Sequence, residues 1–304
     1  MKLSVCIPVY NFDVRELVYD LNEEINKKEI DAEIILIDDA SDSQFKRINS
    51  EVQSIVQNFI FLEKNIGRSK IRNLFLQYTE GDYLFFLDCD GRIIDSKFVQ
   101  NYIEKLQQNT NINVLYGGRA VLNNPPDKNS ILRWKFAVER ENLPVFSRIT
   151  KPYLSFQTNN FVIKKEILKR FQFNSEFENY GYEDLLFAMD LKFENIKIHH
   201  IDNPIFNNDL ESNEVYLRKV AESVESISKM LKMDSLKWKI SEIKLVKAYN
   251  FLHKTHFESL FLYLFGFCEK RIKKNLLSDC PNLRNLDFYK LGLLIRQMKK
   301  SVAT

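Results

Sequence analysis

The sequence predicts an α/β fold on a mainly parallel sheet, followed by a purely helical region. Three observations carry this. Short apolar runs of strand length alternate with helical spacing through the first half, the pattern of βαβ units. From about residue 212 only helical spacing remains. The 304 residues are 45% hydrophobic and 28% charged, with 24 Phe but only eight Gly and seven Pro. That composition supports a large core and leaves little room for flexible linkers.

The elements follow in order. LSVCIPV (3–9) is the first strand. Residues 14–28 form a helix with Leu17, Leu21 and Ile25 four apart and Asp13 as N-cap. EIILI (33–37) is a buried strand ended by Asp38 and Asp39. Residues 43–57 are helical, with Phe45, Ile48, Val52, Ile55 and Val56 on one face, and 59–62 a short strand. A third helix at 67–78 leads to the buried strand YLFFL (83–87). Further on, 96–108 and 183–193 read as helices, 113–116, 158–163 and 196–201 as strands, and 123–129, with Pro125 and Pro126, as a loop. Helices at 212–233, 237–254, 257–277 and 287–299 complete the chain. The boundary falls near residue 210, giving an α/β domain at 1–210 and a helical region at 211–304.

Several functions are excluded early. The 44 basic and 41 acidic residues leave a net charge of +3, too balanced for nucleic-acid binding. Charge is uneven, however: residues 269–300 hold nine Lys or Arg against three acids. The four cysteines show no metal-site spacing and read as reduced thiols of a cytoplasmic protein. The first apolar run is broken by Pro8 and does not read as a signal peptide, and the run at 260–268 is shorter than the roughly 18–20 residues of a membrane span. A dinucleotide site needs GxGxxG after the first strand; PVYNFD stands there instead, and no GxxxxGK[ST] occurs. A nucleotidyltransferase would show a Gly-rich, basic loop at the same place, and PVYNFDVRE is neither.

Open parallel sheets bind ligands beyond the carboxyl ends of their strands. Here those ends carry Pro8-Val9-Tyr10-Asn11, Asp38-Asp39 and Asp88-Cys89-Asp90. Clustered acids repel one another unless a cation or a donor-rich ligand lies between them. Each acid alone would read as a helix or turn cap; across the set, caps do not suffice. An Asp-x-Asp ending an apolar strand suits Mg²⁺ or Mn²⁺, which take oxygen ligands and keep substrate phosphate. Arg68 and Arg72, four apart at the start of the third helix, read either as a diphosphate-facing pair or as a solvated basic face with Lys70.

Five segments, SVCIPVYN (4–11), LIDDAS (36–41), NIGRSKIRN (65–73), LFFLDCDGRI (84–93) and GYEDLLFAMDL (181–191), resemble glycosyltransferase family 2 in order and spacing over residues 1–210. The resemblance implies the GT-A fold and an inverting, metal-dependent glycosyltransferase, hexosyl or N-acetylhexosaminyl. It would use a nucleotide-diphosphate sugar, a UDP-sugar foremost, on a glycan or lipid-linked acceptor in cell-surface polysaccharide assembly. It implies that Pro8 and Tyr10 line the base pocket, Asp39 bonds the base, and Arg72 lies near base or diphosphate with Arg68. Asp88 would serve ribose and metal, and Asp90 would hold Mn²⁺ or Mg²⁺. Asp184 would be the general base with Glu183 beside it; on spacing alone this pair reads as an acidic first helical turn. The other reading is a non-catalytic sugar-binding or scaffolding protein with a degenerate GT-A fold.

The chain departs from the family pattern twice. Gly91 stands where many relatives carry another acid. Asn207 or Asn208 stands where some place a metal-binding His, while His199 and His200 come too early for that role. Asn159-Asn160 falls where the family often builds its acceptor side. Trp134 and Phe136 read as core ahead of sugar-stacking groups. In the tail, FESLFLYLFGFCEKRIKK (257–274) reads as a core helix with a solvated basic end, or as a peripheral contact with the inner face of the cell membrane. A homodimer interface there is equally open.

Overall fold

The computed structural model describes residues 1–122, 124–125, 127–175, 181–207 and 210–300. The chain divides into two compact units. The first holds 1–121, 142–176 and 187–209; the second holds 122–141, 177–186 and 210–304. Two segments that precede residue 210 thus group with the terminal helices, and the division passes within the helix Glu183–Phe193.

The first unit is built on a seven-stranded sheet. Its strands are β1 (Leu3–Val9), β2 (Ala32–Asp38), β3 (Asn58–Phe61), β4 (Tyr83–Leu87), β6 (Val114–Tyr116), β8 (Asn160–Lys164) and β9 (Ile198–His200), in the order β3-β2-β1-β4-β8-β6-β9. All pairs are parallel except those of β8, which runs antiparallel to β4 and β6. Because side chains alternate across a strand, each apolar run supplies both faces. Val5, Ile7, Leu36, Phe85 and Leu87 pack under helices α1 (Arg15–Lys27) and α4 (Phe98–Gln108). Cys6, Ile35, Ile37, Leu84 and Phe86 pack against Ile71, Phe75, Phe187 and Leu191 on the other face. A runs-on-both-faces pattern is what a sheet covered by helices on each side requires.

A small second sheet, which the sequence pattern did not announce, joins β5 (Gly91–Arg92), β7 (Arg119–Ala120) and β10 (Ile205–Asn207) in the order β5-β10-β7. In its register Asn207 lies opposite Gly91 and Phe206 opposite Arg92.

Several expected helices differ. The helix expected over 43–57 stops as α2 (Ser43–Asn49) and continues as a single 3₁₀ turn. Asn49 ends it: its side chain accepts from Val14 N at 3.0 Å and donates to Phe12 O at 2.8 Å, a tie to the neighbouring loop. The helix expected over 67–78 is α3 (Arg68–Leu74) plus a 3₁₀ turn. Asp13 does not cap α1; its carboxylate grips Arg15, and Val14 occupies the cap position.

In the second unit, α5 (Ile131–Phe136) precedes a π-turn, and Phe136 packs against Tyr216 with ring centroids 5.6 Å apart, as its core reading expects. The Trp134 indole N–H donates to Leu122 O at 2.7 Å. The short helices α6 (Val145–Arg148) and α7 (Lys165–Arg170) belong to the first unit, and α8 (Glu183–Phe193) is the helix divided between the two. The terminal helices are α9 (Asn213–Leu231), α10 (Asp234–Lys237), α11 (Lys244–Lys254), α12 (Glu258–Leu276) and α13 (Leu283–Lys300). Ser212 caps α9 by accepting from Val215 N. The single helix expected over 237–254 is broken between α10 and α11. Helices α12 and α13 approach closely at Gly292, where a Cβ would meet the Phe265 ring at 2.6 Å. No described helix is long and apolar enough to cross a membrane.

Candidate active site at the strand ends

The carboxyl ends of β2, β1 and β4 are tied together by hydrogen bonds. Asp39, just past β2, is buried; its N–H donates to Val9 O at 2.8 Å. Its Oδ1 accepts from Ile66 N at 2.7 Å and its Oδ2 from Gly67 N at 3.1 Å. Asp39 therefore occupies the two backbone donors ahead of α3. Burial, with a smaller push from Asp38, raises its carboxyl above the usual range. Asp38 accepts from Ser41 N through Oδ1 at 2.8 Å, while its buried Oδ2 has no partner. Pro8 is half-buried within β1, and Tyr10 is exposed just beyond it.

Arg68 and Arg72 share α3 but not an environment. Arg68 is exposed, whereas Arg72 is buried, with its guanidinium over the Phe173 ring. Arg72 Nη2 donates to Asp88 Oδ1 at 2.9 Å, and its Nε is buried without a partner. That buried fork fixes one oxygen of Asp88, whose side chain remains 36% exposed. Asp88 N in turn donates to Asn159 O at 3.1 Å, at the head of β8.

Two residues on, Asp90 is held by Asn207: Asn207 Nδ2 donates to Asp90 Oδ2 at 2.6 Å. Burial first, then the Asp88 carboxylate, raises the Asp90 carboxyl; the Asn207 N–H and the charges of Arg119 and Arg68 pull the other way. Asn207 Oδ1 is buried with no partner. Between the two acids, burial pushes the Cys89 thiol up to about 12. Asn208, the other residue considered for a metal-ligand role, lies outside the described residues.

The structure also explains Gly91. A Cβ there would meet Ile205 Cδ1 at 2.3 Å and Asp88 O at 3.1 Å. A third acid has no room where β5 meets β10.

Glu183 and Asp184 are half-buried in the first turn of α8, within the second unit. They follow Gly181 and Tyr182, both at positive φ (94° and 74°). The half-buried Tyr182 bonds Ser223 through its hydroxyl. His200 is no candidate ligand: Nδ1 lies 3.3 Å from Arg148 Nη1 and Nε2 3.1 Å from Pro152 O. Asn160 is fully employed, accepting from Tyr102 Oη at 2.7 Å and donating to Gly118 O and Asn203 O. Asn159 differs, since both its side-chain polar atoms are buried without partners. Arg119, whose charge bears on Asp90, gave no sequence signal because it lies on a two-residue strand.

An Asp-rich set of strand ends on a sheet of this order defines a nucleotide-sugar transferase fold of the GT-A type. The chain belongs to glycosyl transferase family 2, whose profile matches residues 4–175. A cholesterol galactosyltransferase of Borreliella burgdorferi is 22% identical over 312 residues, spanning 94% of this chain and 84% of that protein. Residues 1–349 of S. aureus TarS, in complex with UDP-GlcNAc, superpose with a TM-score of 0.54 at 16% identity, covering 100% of this chain and 92% of that one. Mannosyltransferase PcManGT from Pyrobaculum calidifontis, in complex with GDP-Man and Mn²⁺, gives 0.56 at 13% identity, covering 99% and 86%. Other curated matches are partial: the chain spans 37% of the length of one uncharacterised glycosyltransferase and 14% of another.

Proposed function

We propose that the chain is an inverting glycosyltransferase that moves a sugar, hexosyl or N-acetylhexosaminyl, from a UDP-sugar to a hydroxyl of a glycan or lipid-linked acceptor in cell-surface polysaccharide assembly. The observation that carries this reading is the pair Asp88 and Asp90 at the end of β4, both half-buried, with the buried Asn207 oxygen beside Asp90 unpartnered. Such a set is lined with oxygen, which fits Mg²⁺ or Mn²⁺. Among the described residues no group of three His, Cys, Asp or Glu could hold a metal, so substrate phosphate would complete the ligand set. Asp90, Asp88 and Asn207 would hold the cation, which neutralises charge on a departing diphosphate.

The remaining chemistry belongs to side chains. Asp39 accepts an N–H from the base, which favours uracil or guanine over cytosine, whose ring nitrogen at that edge carries no hydrogen. Pro8 and Tyr10 flank the base, and the exposed Arg68 offers charge to the diphosphate. Arg72 holds Asp88 so that its free oxygen can accept from a ribose hydroxyl. Asp184 takes the proton of the acceptor hydroxyl as it attacks the anomeric carbon from the face opposite the diphosphate, with Glu183 orienting the acceptor. The UDP-GlcNAc complex of TarS supports a uridine donor, the Mn²⁺ in PcManGT supports the cation, and the galactosyltransferase supports a lipid acceptor. Four free cysteines accord with the cytoplasm.

A thermal-shift panel of UDP, GDP, CDP and CMP, each with and without Mn²⁺ or Mg²⁺, tests this. A ligand that binds only the native state raises the melting temperature, by the equivalent of about 2.7 kcal/mol at a hundredfold excess over Kd. The expected result is a metal-dependent shift with UDP that Asp90→Ala abolishes and Asp184→Asn leaves intact while transfer is lost. No shift with any nucleotide returns the scaffold reading.

A further inference from the structure

Helix α12 buries one face and leaves the opposite one bare. Phe265, Ile272 and Leu276 pack into the core of the second unit. On the other side Leu260, Tyr263, Leu264 and Phe267 recur at three- and four-residue spacing and are 52, 65, 51 and 70% exposed. At 3.6 residues per turn the same stripe runs on through Arg271 and Lys274, both exposed. This face has no carboxylate: the acids of α12, Glu258 and Glu269, lie on the opposite side, where Glu269 pairs with Arg296 at 2.7 Å and Lys273 at 3.4 Å. A contiguous patch of aromatic and leucine side chains ending in uncompensated cations is not an ordinary solvated surface.

We propose that this face of α12 docks on a membrane surface rich in anionic lipid, with the helix lying in the plane of the interface. The four apolar side chains would enter the boundary between headgroups and acyl chains, and Arg271 and Lys274 would meet lipid phosphates. Charge complementarity selects this occupant over a second copy of the chain. A two-fold interface sets the same patch against itself, and in either helix orientation this face offers the cations no acid to receive them. The proposal is independent of the transferase reading.

The test is flotation of the full chain with vesicles of phosphatidylglycerol and phosphatidylcholine in equal parts, against phosphatidylcholine alone, with oligomeric state measured by light scattering. The chain is expected to float with the anionic vesicles only. Leu264→Ser with Phe267→Ser should abolish flotation, and Arg271→Gln with Lys274→Gln should weaken partitioning about thirtyfold. All four positions are exposed, so unchanged melting temperatures are expected and would show that the fold is intact. Failure to float with anionic vesicles, or flotation unaltered in both variants, overturns the proposal. So does a dimer of the parent chain that Leu264→Ser with Phe267→Ser converts to monomer without any vesicle binding, because a second copy then covers the face.

Discussion

Asn207 donates to Asp90 Oδ2 at 2.6 Å while its own amide oxygen stays buried and unpartnered. One contact is thus made with the wrong end of the amide for a cation ligand. Rotating the amide by half a turn would present the oxygen to the place its N–H now serves, at the cost of a charge-assisted hydrogen bond. Under the proposed cation reading, the residue would support Asp90 in either state, by donation without a cation and by ligation with one.

This predicts a graded response at position 207. Asn207→Leu removes both the donor and the oxygen, and Mn²⁺ affinity should fall about tenfold, the lower end for loss of a supporting group at a metal. Asn207→His supplies a stronger nitrogen donor and should raise affinity above that of the parent chain. Free Mn²⁺ counted by electron paramagnetic resonance reads both without any transfer assay; equal affinity in all three proteins would remove Asn207 from the cation set.

Restoring the acid that many relatives carry after the Asp-x-Asp should harm the protein. Gly91→Asp must place a Cβ 2.3 Å from Ile205 Cδ1, and Ile205 is fully buried in the core beneath the sheet. Overpacking of this kind costs about 1–3 kcal/mol. Urea unfolding should show that loss for Gly91→Asp, with Gly91→Ala nearly as damaging, and a Gly91→Asp protein of parental stability would contradict the geometry.

The reach of the sequence can be judged from such particulars. Strands β1 and β4 were readable to the residue because a strand buried on both faces is an unbroken apolar run ended by polar residues. The places of Asp39, Asp88 and Asp90 just past the strand ends were readable for the same reason: each stands where such a run stops. The helix expected through residue 57 was not, because Val52, Ile55 and Val56 keep helical spacing while the backbone turns away at Asn49 to let Gln57 N reach Ile34 O at 2.8 Å. Spacing cannot register a side chain such as Asn49 that bonds a distant loop. The β5-β10-β7 sheet was silent because its strands are two or three residues long, too short for any period. With it went Arg119 and the reason for Gly91.

Arg72 and Asp88 form a pair of unequal burial, the guanidinium side chain 4% exposed and the carboxylate 36%. Water can reach Asp88 when its partner is lost, which discounts the destabilisation of Arg72→Ala to about 1–3 kcal/mol. Arg72→Lys keeps the charge but cannot reproduce the fork that meets Asp88 while lying over Phe173. Its stability should therefore recover more than its nucleotide binding. Calorimetry with UDP and Mn²⁺ is expected to show binding about tenfold weaker in Arg72→Lys; undiminished binding would mean that Arg72 serves packing alone.

The stability of the chain should fall in mild acid through His200. Burial first, and then the Arg148 guanidinium 3.3 Å away, lower its imidazole to about 4 from the ordinary 6.5. His199 is lowered in the same direction by burial, Lys197 and Lys105. As the pH drops below 6.5 the unfolded chain takes up a proton that the folded chain refuses, so stability rises with pH across the window from about 4 to 6.5. Above 6.5 both states are neutral at this position and the dependence ends. The Arg148 guanidinium cannot move aside to admit a charged ring, since it also donates to Leu143 O, Gly117 O and Ile201 O. His200→Gln can still donate to Pro152 O, and it removes the titration. Melting temperatures taken from pH 7 down to pH 4.5 should therefore decline less steeply in His200→Gln than in the parent chain, while parallel curves would assign the acid sensitivity to other groups.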